Sequence, residues 1–156
     1  MDDLDRNDRK ILALLQANGK IGARELAENL NLSASPCWRR VKRLEELGVI
    51  DRYVAVLDPK PLGLHAVAYV HVSLIDHTER TIDAFDRFVQ EHEQVVECSS
   101  ITGDSDYVLK VVAADAEGLE SFLMKRLLAL GLVRSSTTNF VLRRTKASTA
   151  LPLDIA

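Results

Sequence analysis

The sequence predicts an α+β chain in two parts, a small helix-turn-helix bundle followed by a ferredoxin-like β-α-β-β-α-β unit. Three observations predict it. The apolar period changes from helical to two near residue 65. Pro59 and Pro61 interrupt the chain just before that change. The stretch "SPCWRRVKRLEELGVI", residues 35–50, sets four cations within five positions at the start of an amphipathic helix.

Taken in order, Asp5 is suited to cap a first helix whose apolar residues Ile11, Leu12, Leu14 and Leu15 make a broad buried face. Asn18-Gly19 is expected to end it through a left-handed exit. A short second helix, "ARELAENL", carries Leu26, Ala27 and Leu30 on one side, and Ser33 is placed to cap a third helix running to Gly48. The tight connection between the second and third helices suits a helix-turn-helix. "YVAVLDPKPLGL" reads as a strand followed by a hinge, so the expected boundaries are 1–52, 53–64 and 65–156. In the second part "HAVAYVHVSLI" alternates, with Ala66, Ala68, Val70, Val72 and Leu74 on one face and Val67, Tyr69, His71 and Ser73 on the other. Thr78 begins a helix with Ile82, Phe85, Phe88 and Val89 inward. "QVVECSSI" and "YVLKVVA" form strands joined by "TGDSD". Asp115 caps a further helix with Leu119, Phe122, Leu123, Leu127 and Leu130 inward, and "SSTTNFVLRRT" is the last strand. Two helices cover one sheet face and leave the face of Val67, Tyr69 and His71 open, which calls for a partner.

Composition narrows the function. With 156 residues, 47% hydrophobic and 28% charged, the chain suits a globular protein with a substantial core. "MDDLDRNDRK" has no apolar run of a signal peptide and no stretch reaches membrane-spanning length, so a cytoplasmic protein without a membrane partner is expected. Cys37 and Cys98 are far apart, form no CxxC pair, and read as reduced, buried thiols. The net charge is −3, yet residues 1–52 hold ten Lys and Arg against nine Asp and Glu, and 53–156 hold ten against fourteen. Positive charge is local, with +4 in residues 39–43 alone. Such a pattern suits one contact face.

On a helical wheel Cys37, Val41, Leu44 and Leu47 define the buried arc of the third helix, flanked by Ala34 and Trp38. Ser35, Arg39, Lys42 and Arg43 fall opposite, with Arg40 at the edge. A solvated surface is one reading of such a run. The other is a recognition helix whose N-terminal residues meet base edges, for which arginine's planar fork is the apt cation. The short helix and turn that precede it favour the second, with double-stranded DNA as partner.

"DRNDRKILALLQANGK", "LAENLNLSASPCWRRVKRLEELGVIDRYVAVLDPKPLG", "ITGDSDYVLKV" and "TALPL" closely resemble the Lrp/AsnC family of transcriptional regulators, nearly end to end. The resemblance implies an N-terminal winged helix-turn-helix that binds DNA through Ser35, Pro36, Trp38, Arg39, Arg40, Lys42 and Arg43. It also implies a ferredoxin-like C-terminal domain that dimerises, assembles further to octamers, and senses a free amino acid. Gly22 departs from the polar cap expected before the second helix; glycine is an adequate cap, at a cost of about a few tenths of a kcal/mol.

"TGDSDY" is first a β-hairpin turn, with Gly103 supplying permissive dihedrals. It also sets Asp104 and Asp106 beside turn amides, which together offer an acceptor for an ammonium and donors for a carboxylate. The family resemblance carries Gly103, Asp104 and Asp106 over as effector-site residues, with Tyr107 beside them. Met124 and Leu128 form an apolar pair away from the core arc, either scattered surface or an interface lining the effector pocket. Thr137 and Thr138 could add hydroxyls to it. Leucine or another apolar amino acid is the expected effector.

His65, His71, His77 and His92 show no ligand spacing, and neither cysteine has the setting of a nucleophile. No catalytic residue, metal or cofactor is expected, since nucleophile elbow, P-loop and metal motif are absent from the sequence. An amino-acid-binding regulatory subunit of an enzyme is the alternative from another class, and a module whose winged helix docks an acidic protein is a third.

Overall fold

The computed structural model describes residues 4–153. Three helices come first: α1 (Arg6–Ala17), α2 (Ala23–Asn29) and α3 (Ala34–Glu46). Asp5 and Asp8 make a reciprocal capping box at the start of α1, each side chain accepting from the other's amide. At its end Asn18 is extended rather than left-handed, and its side chain accepts from the Lys20 amide in a local turn. The expected αL exit is therefore replaced by an Asx-type turn. The left-handed residue lies between α2 and α3 instead, at Asn31 with φ 54°. Ser33 occupies the N-cap of α3, although its side chain makes no cap hydrogen bond. Ile11, Leu12, Leu26, Ala27, Leu30, Cys37, Val41 and Leu44 form the buried centre of this bundle. Leu47, expected on that arc, is the C-cap of α3 and is 46% exposed.

Residues 51–58 take no regular secondary structure, so the expected strand has no pairing within the described residues. The expected hinge is a closed turn: the amides of Leu62 and Leu64 both donate to the Pro59 carbonyl.

The second unit is built from β1 (Ala66–Leu74), α4 (Glu79–Glu91), β2 (Val95–Ser100), β3 (Tyr107–Ala113), α5 (Ala116–Phe122) and β4 (Val133–Phe140). The strands form one antiparallel sheet in the order β2-β3-β1-β4. Its inner face, Ala66, Ala68, Val70, Val72, Leu109 and Val111, packs on Phe85, Phe88, Leu119, Phe122 and Leu127 from the helices. Alternation along β1 and β3 leaves Val67, Tyr69, His71, Val108, Lys110 and Val112 on the other face. β4 runs two residues earlier than expected and stops at Phe140, opposite Ala68 near the start of β1, where the ladder ends.

The chain divides into two compact units, one spanning Leu57–Thr145 and the other joining the residues up to Val56 with the segment from Lys146. The domain expected over 65–156 thus gives up its last residues to the helical unit. Gln16 holds the Leu151 backbone at both ends, accepting from its amide at 2.6 Å and donating to its carbonyl at 3.1 Å. Arg9 donates to the Leu153 carbonyl, and the Leu153 side chain packs on the bundle core.

Candidate functional site

Helix α3 presents its polar face as the sequence pattern requires. Its buried arc, Cys37, Val41 and Leu44, fixes which residues turn away from the core. Ser35, Arg39 and Lys42 are exposed, Trp38 is half-exposed, and Pro36 is partly buried. No ion pair is made by Arg39 or Lys42 among the described residues. Arg40 and Arg43 behave differently from the other two cations. The Arg40 Nη1 donates to Asp5 Oδ2 at 2.6 Å and to Asp8 Oδ1 at 2.8 Å, and the Arg43 Nη2 donates to Asp8 Oδ2 at 2.7 Å. Asp8 is fully buried, and Arg40, expected at the edge of the polar arc, and Arg43, expected to stand outward, both reach back toward α1 to meet it. Their hydrogen bonds raise the pKa of Arg40, with Asp8 as the larger cause and Asp5 next. The Asp5 carboxyl is held below its ordinary value by the Asp8 amide and then by Arg40. Asp5, Pro36, Arg39, Arg40 and Arg43 line an open cleft on this side of the bundle. Sequence reasoning missed Asp5 and Asp8 as part of this face. The available signal was their i,i+3 spacing facing a second i,i+3 pair, Arg40 and Arg43.

The 101–106 turn is built tightly. Ile101 donates to the Asp106 carbonyl, and the Asp106 amide donates to Val72 of β1. Gly103 has φ +115°, a conformation L-residues rarely adopt. Asp106 spends both carboxylate oxygens on the scaffold: Oδ2 accepts from the Leu74 amide at 2.8 Å and Oδ1 lies 2.9 Å from His77 Nε2. These bonds, His77 first and Leu74 next, hold its carboxyl below the ordinary range. Ser73, buried at the end of β1, donates to the Asp104 carbonyl at 3.3 Å. The Asp104 side chain is exposed, and the amides of Thr102, Gly103, Asp104 and Ser105 donate to no group among the described residues.

The remaining effector candidates separate. Tyr107 pairs with Val72 on the inner face and packs its ring 4.7 Å from Phe85, so it belongs to the core side. Thr137 lies opposite His71 on the open face, whereas Thr138 lies opposite Val70 on the helix-covered side. The two hydroxyls therefore leave β4 on opposite faces of the sheet. Met124 is 57% exposed and Leu128 is 36% exposed. Helix α5 changes there into a π turn over Leu123–Leu127 and then a 3₁₀ turn over Leu128–Leu130, with the Leu128 amide bonded to the Leu123 carbonyl. Such insertions recur at functional sites. Among the described residues, no hydrogen bond or ring contact joins Met124 or Leu128 to the 103–107 turn.

Among the described residues no helix is long and apolar enough to cross a membrane. No group of three or more His, Cys, Asp or Glu among them is placed to hold a metal ion.

A helix-turn-helix with a cationic face, joined to an antiparallel βαββαβ unit, defines a DNA-binding regulator with a separate ligand-binding half. Comparison with known proteins agrees along nearly the whole chain. Residues 4–51 match the winged helix-turn-helix DNA-binding profile, and residues 67–151 match the Lrp/AsnC ligand-binding domain. The chain belongs to the Lrp/AsnC family of transcriptional regulators. It is 37% identical to the leucine-responsive regulatory protein of Escherichia coli, covering 96% of this chain and 91% of that one. It is 34% identical to the E. coli DNA-binding transcriptional activator DecR, over 97% and 99% of the two chains. A transcriptional regulator of Neisseria meningitidis solved with L-methionine superposes with a TM-score of 0.94 at 36% identity, covering 97% and 98%. Both of these curated relatives are regulators.

Proposed function

We propose that the protein is a cytoplasmic homo-oligomer that reads operator DNA through the exposed edge of α3 and alters its assembly when it binds an apolar amino acid, leucine or methionine. The observation that carries the DNA half of this reading is the split among the four cations, which leaves Arg39 and Lys42 exposed beside Ser35 and Trp38. Arg39 is the residue for a guanine edge, Lys42 for a phosphate, and Arg40, Arg43 and Pro36 border the contact.

The effector half rests on the unbonded amides of Thr102 to Ser105, which offer donors to a carboxylate, and on the exposed Asp104 carboxylate, which offers an acceptor to an ammonium. Gly103 permits the turn, while Asp106 frames it and, with both oxygens engaged, is the weaker candidate for direct contact. Met124 and Leu128 supply apolar surface for the effector side chain, and Thr137 lies on the sheet face proposed to meet a second copy. The Neisseria relative's L-methionine supports an apolar amino acid as the ligand of this architecture. Dimerisation is supported by the open face of Val67, Tyr69, Val108 and Val112 and by the exposed apolar residues Val54, Val56 and Leu57. Further assembly to an octamer would give the ligand a boundary between copies, where it can favour one state over another.

The test is calorimetric titration of the full chain with leucine and methionine, repeated on Asp104→Asn. Binding of either amino acid that weakens at least about tenfold in the variant, as loss of a charge-assisted bond predicts, supports the site. Unchanged affinity in the variant places the ammonium elsewhere.

A further inference from the structure

We propose that Asp8 is a positioning residue for DNA recognition, acting through Arg40 and Arg43 to fix the rotation of α3 and to keep two of its four cations out of the phosphate contact. The proposal deepens the reading of α3 as the DNA-contacting helix and rests on it.

Asp8 sits on the first turn of α1, fully buried, and its carboxylate accepts three hydrogen bonds. One comes from the Asp5 amide at 3.2 Å, one from Arg40 at 2.8 Å and one from Arg43 at 2.7 Å. Asp5 adds a second carboxylate to Arg40 at 2.6 Å and caps α1 through the Asp8 amide. Among the described residues, two carboxylates therefore face two guanidinium groups. Arg40 and Arg43 are three residues apart, so two arms from one face of α3 converge on a single buried point. Rotation of α3 would lengthen one arm or the other. The apolar contacts of Ile11 and Leu12 with the bundle core lack this directionality, because hydrophobic burial does not prescribe an angle.

The clamp has a consequence for the exposed edge. At about 100° per residue, Arg39 and Lys42 lie about 60° apart on α3, next to the clamped pair. Holding Arg40 and Arg43 inward aims Arg39 and Lys42 outward. Without the clamp, four cations would compete for nearby phosphates, which raises affinity for any sequence and blunts discrimination.

The experiment measures the salt dependence of binding by the full-length protein to a selected operator and to a scrambled duplex. Arg39→Ala is the control for the underlying reading: a salt slope or specificity that does not change removes α3 as the contacting helix. Asp8→Asn is expected to release guanidinium groups, steepen the slope by about 0.9 for each new phosphate contact, and lower the operator-to-scrambled ratio about tenfold or more. Because Asp8→Asn could fail to fold, the triple variant Asp8→Leu, Arg40→Met, Arg43→Met replaces the buried carboxylate and its two partly exposed partners by apolar groups, a kind of change that is often tolerated. In that variant the slope is expected to stay at the parent value while the specificity ratio falls. A slope shallower by about 1.8 would mean that Arg40 and Arg43 themselves neutralise phosphates, and would overturn the proposal. A folded triple variant with parent specificity would overturn it as well.

Discussion

The two units of the chain treat their polar and apolar surfaces in opposite ways. In the helical unit the buried Asp8 is matched by Arg40 and Arg43, and Ile11, Cys37, Val41 and Leu44 form a buried core. In the sheet unit the helices close only one face, and the other presents Val67, Tyr69, Val108 and Val112 without cover from the described elements of that unit. The helical bundle thus closes a core of its own, whereas the sheet unit leaves one face without cover from its own elements. Asp8 and Asp106 express the same contrast at the scale of one residue. Asp8 gathers Arg40 and Arg43 onto the start of α1, whereas Asp106 ties Leu74 and His77 into the scaffold of a turn whose own amides stay open.

That contrast breaks most visibly if the helical unit is deprived of its internal partners. Arg40→Ala with Arg43→Ala leaves the Asp8 carboxylate buried without either guanidinium, and is expected to cost about 3–5 kcal/mol. Chemical denaturation followed at Trp38 reads that loss, and a cost below about 1 kcal/mol would show that the pairs are dispensable. In the sheet unit the corresponding variant acts on association. Tyr69→Asp places a charge on the open face and is expected to weaken the dimer about thirtyfold or more, equivalent to about 2 kcal/mol, with the secondary structure retained by circular dichroism.

Acid separates the units less sharply. The carboxyls of Asp106, Asp76 and Asp5 are all held below the ordinary 3.8, by His77 and Leu74, by Thr81 and Thr78, and by the Asp8 amide and Arg40 respectively. A carboxyl depressed in the folded state favours folding fully above its unfolded pKa. That contribution is lost as pH falls through the folded value. Stability is therefore expected to hold from neutral pH down to the neighbourhood of 4 as far as these groups are concerned, and to decline below 3.8. Asp106→Asn should flatten the acid limb in melting experiments, and an unchanged limb would show that the turn does not depend on this charge.

The smallest effect belongs to the C-terminal segment. Gln16→Ala removes two exposed hydrogen bonds to Leu151 and is expected to loosen the segment by about 1 kcal/mol. Tryptic cleavage after Lys146 should then run about fivefold faster, while the same rate as the parent would mean that Leu153 alone holds the segment.

Much of this architecture is written locally and could be read from the sequence. Period and caps locate α1, α4 and α5, since Asp5, Thr78 and Asp115 each accept a hydrogen bond from an amide three residues on. Alternation in β1 separates Ala68, Val70 and Val72 from Tyr69 and His71. Distant contacts are where sequence reasoning stops. A wheel places Arg43 on the polar arc of α3, but it contains no information about an acid 35 residues earlier. Leu151 and Leu153 look like part of the second domain by position, and only their contacts with Gln16, Arg9 and the bundle core assign them to the first unit. The π turn in α5 is invisible for a related reason. An ideal wheel assumes 100° per residue, and one wider turn shifts every position after Leu123. For the effector site, the turn was readable as a turn, but the register that sends Thr137 and Thr138 to opposite faces, and the bonds that occupy Asp106, required the assembled sheet.

The most direct measurement of the central contrast is sedimentation of the full chain over a dilution series, with hydrogen exchange followed in both units. A dimer or larger species that dissociates on dilution is expected, with amides of β1 and β3 losing protection while those of α1 and α3 keep theirs. A monomer at every concentration, with protection in both units unchanged, would contradict the contrast.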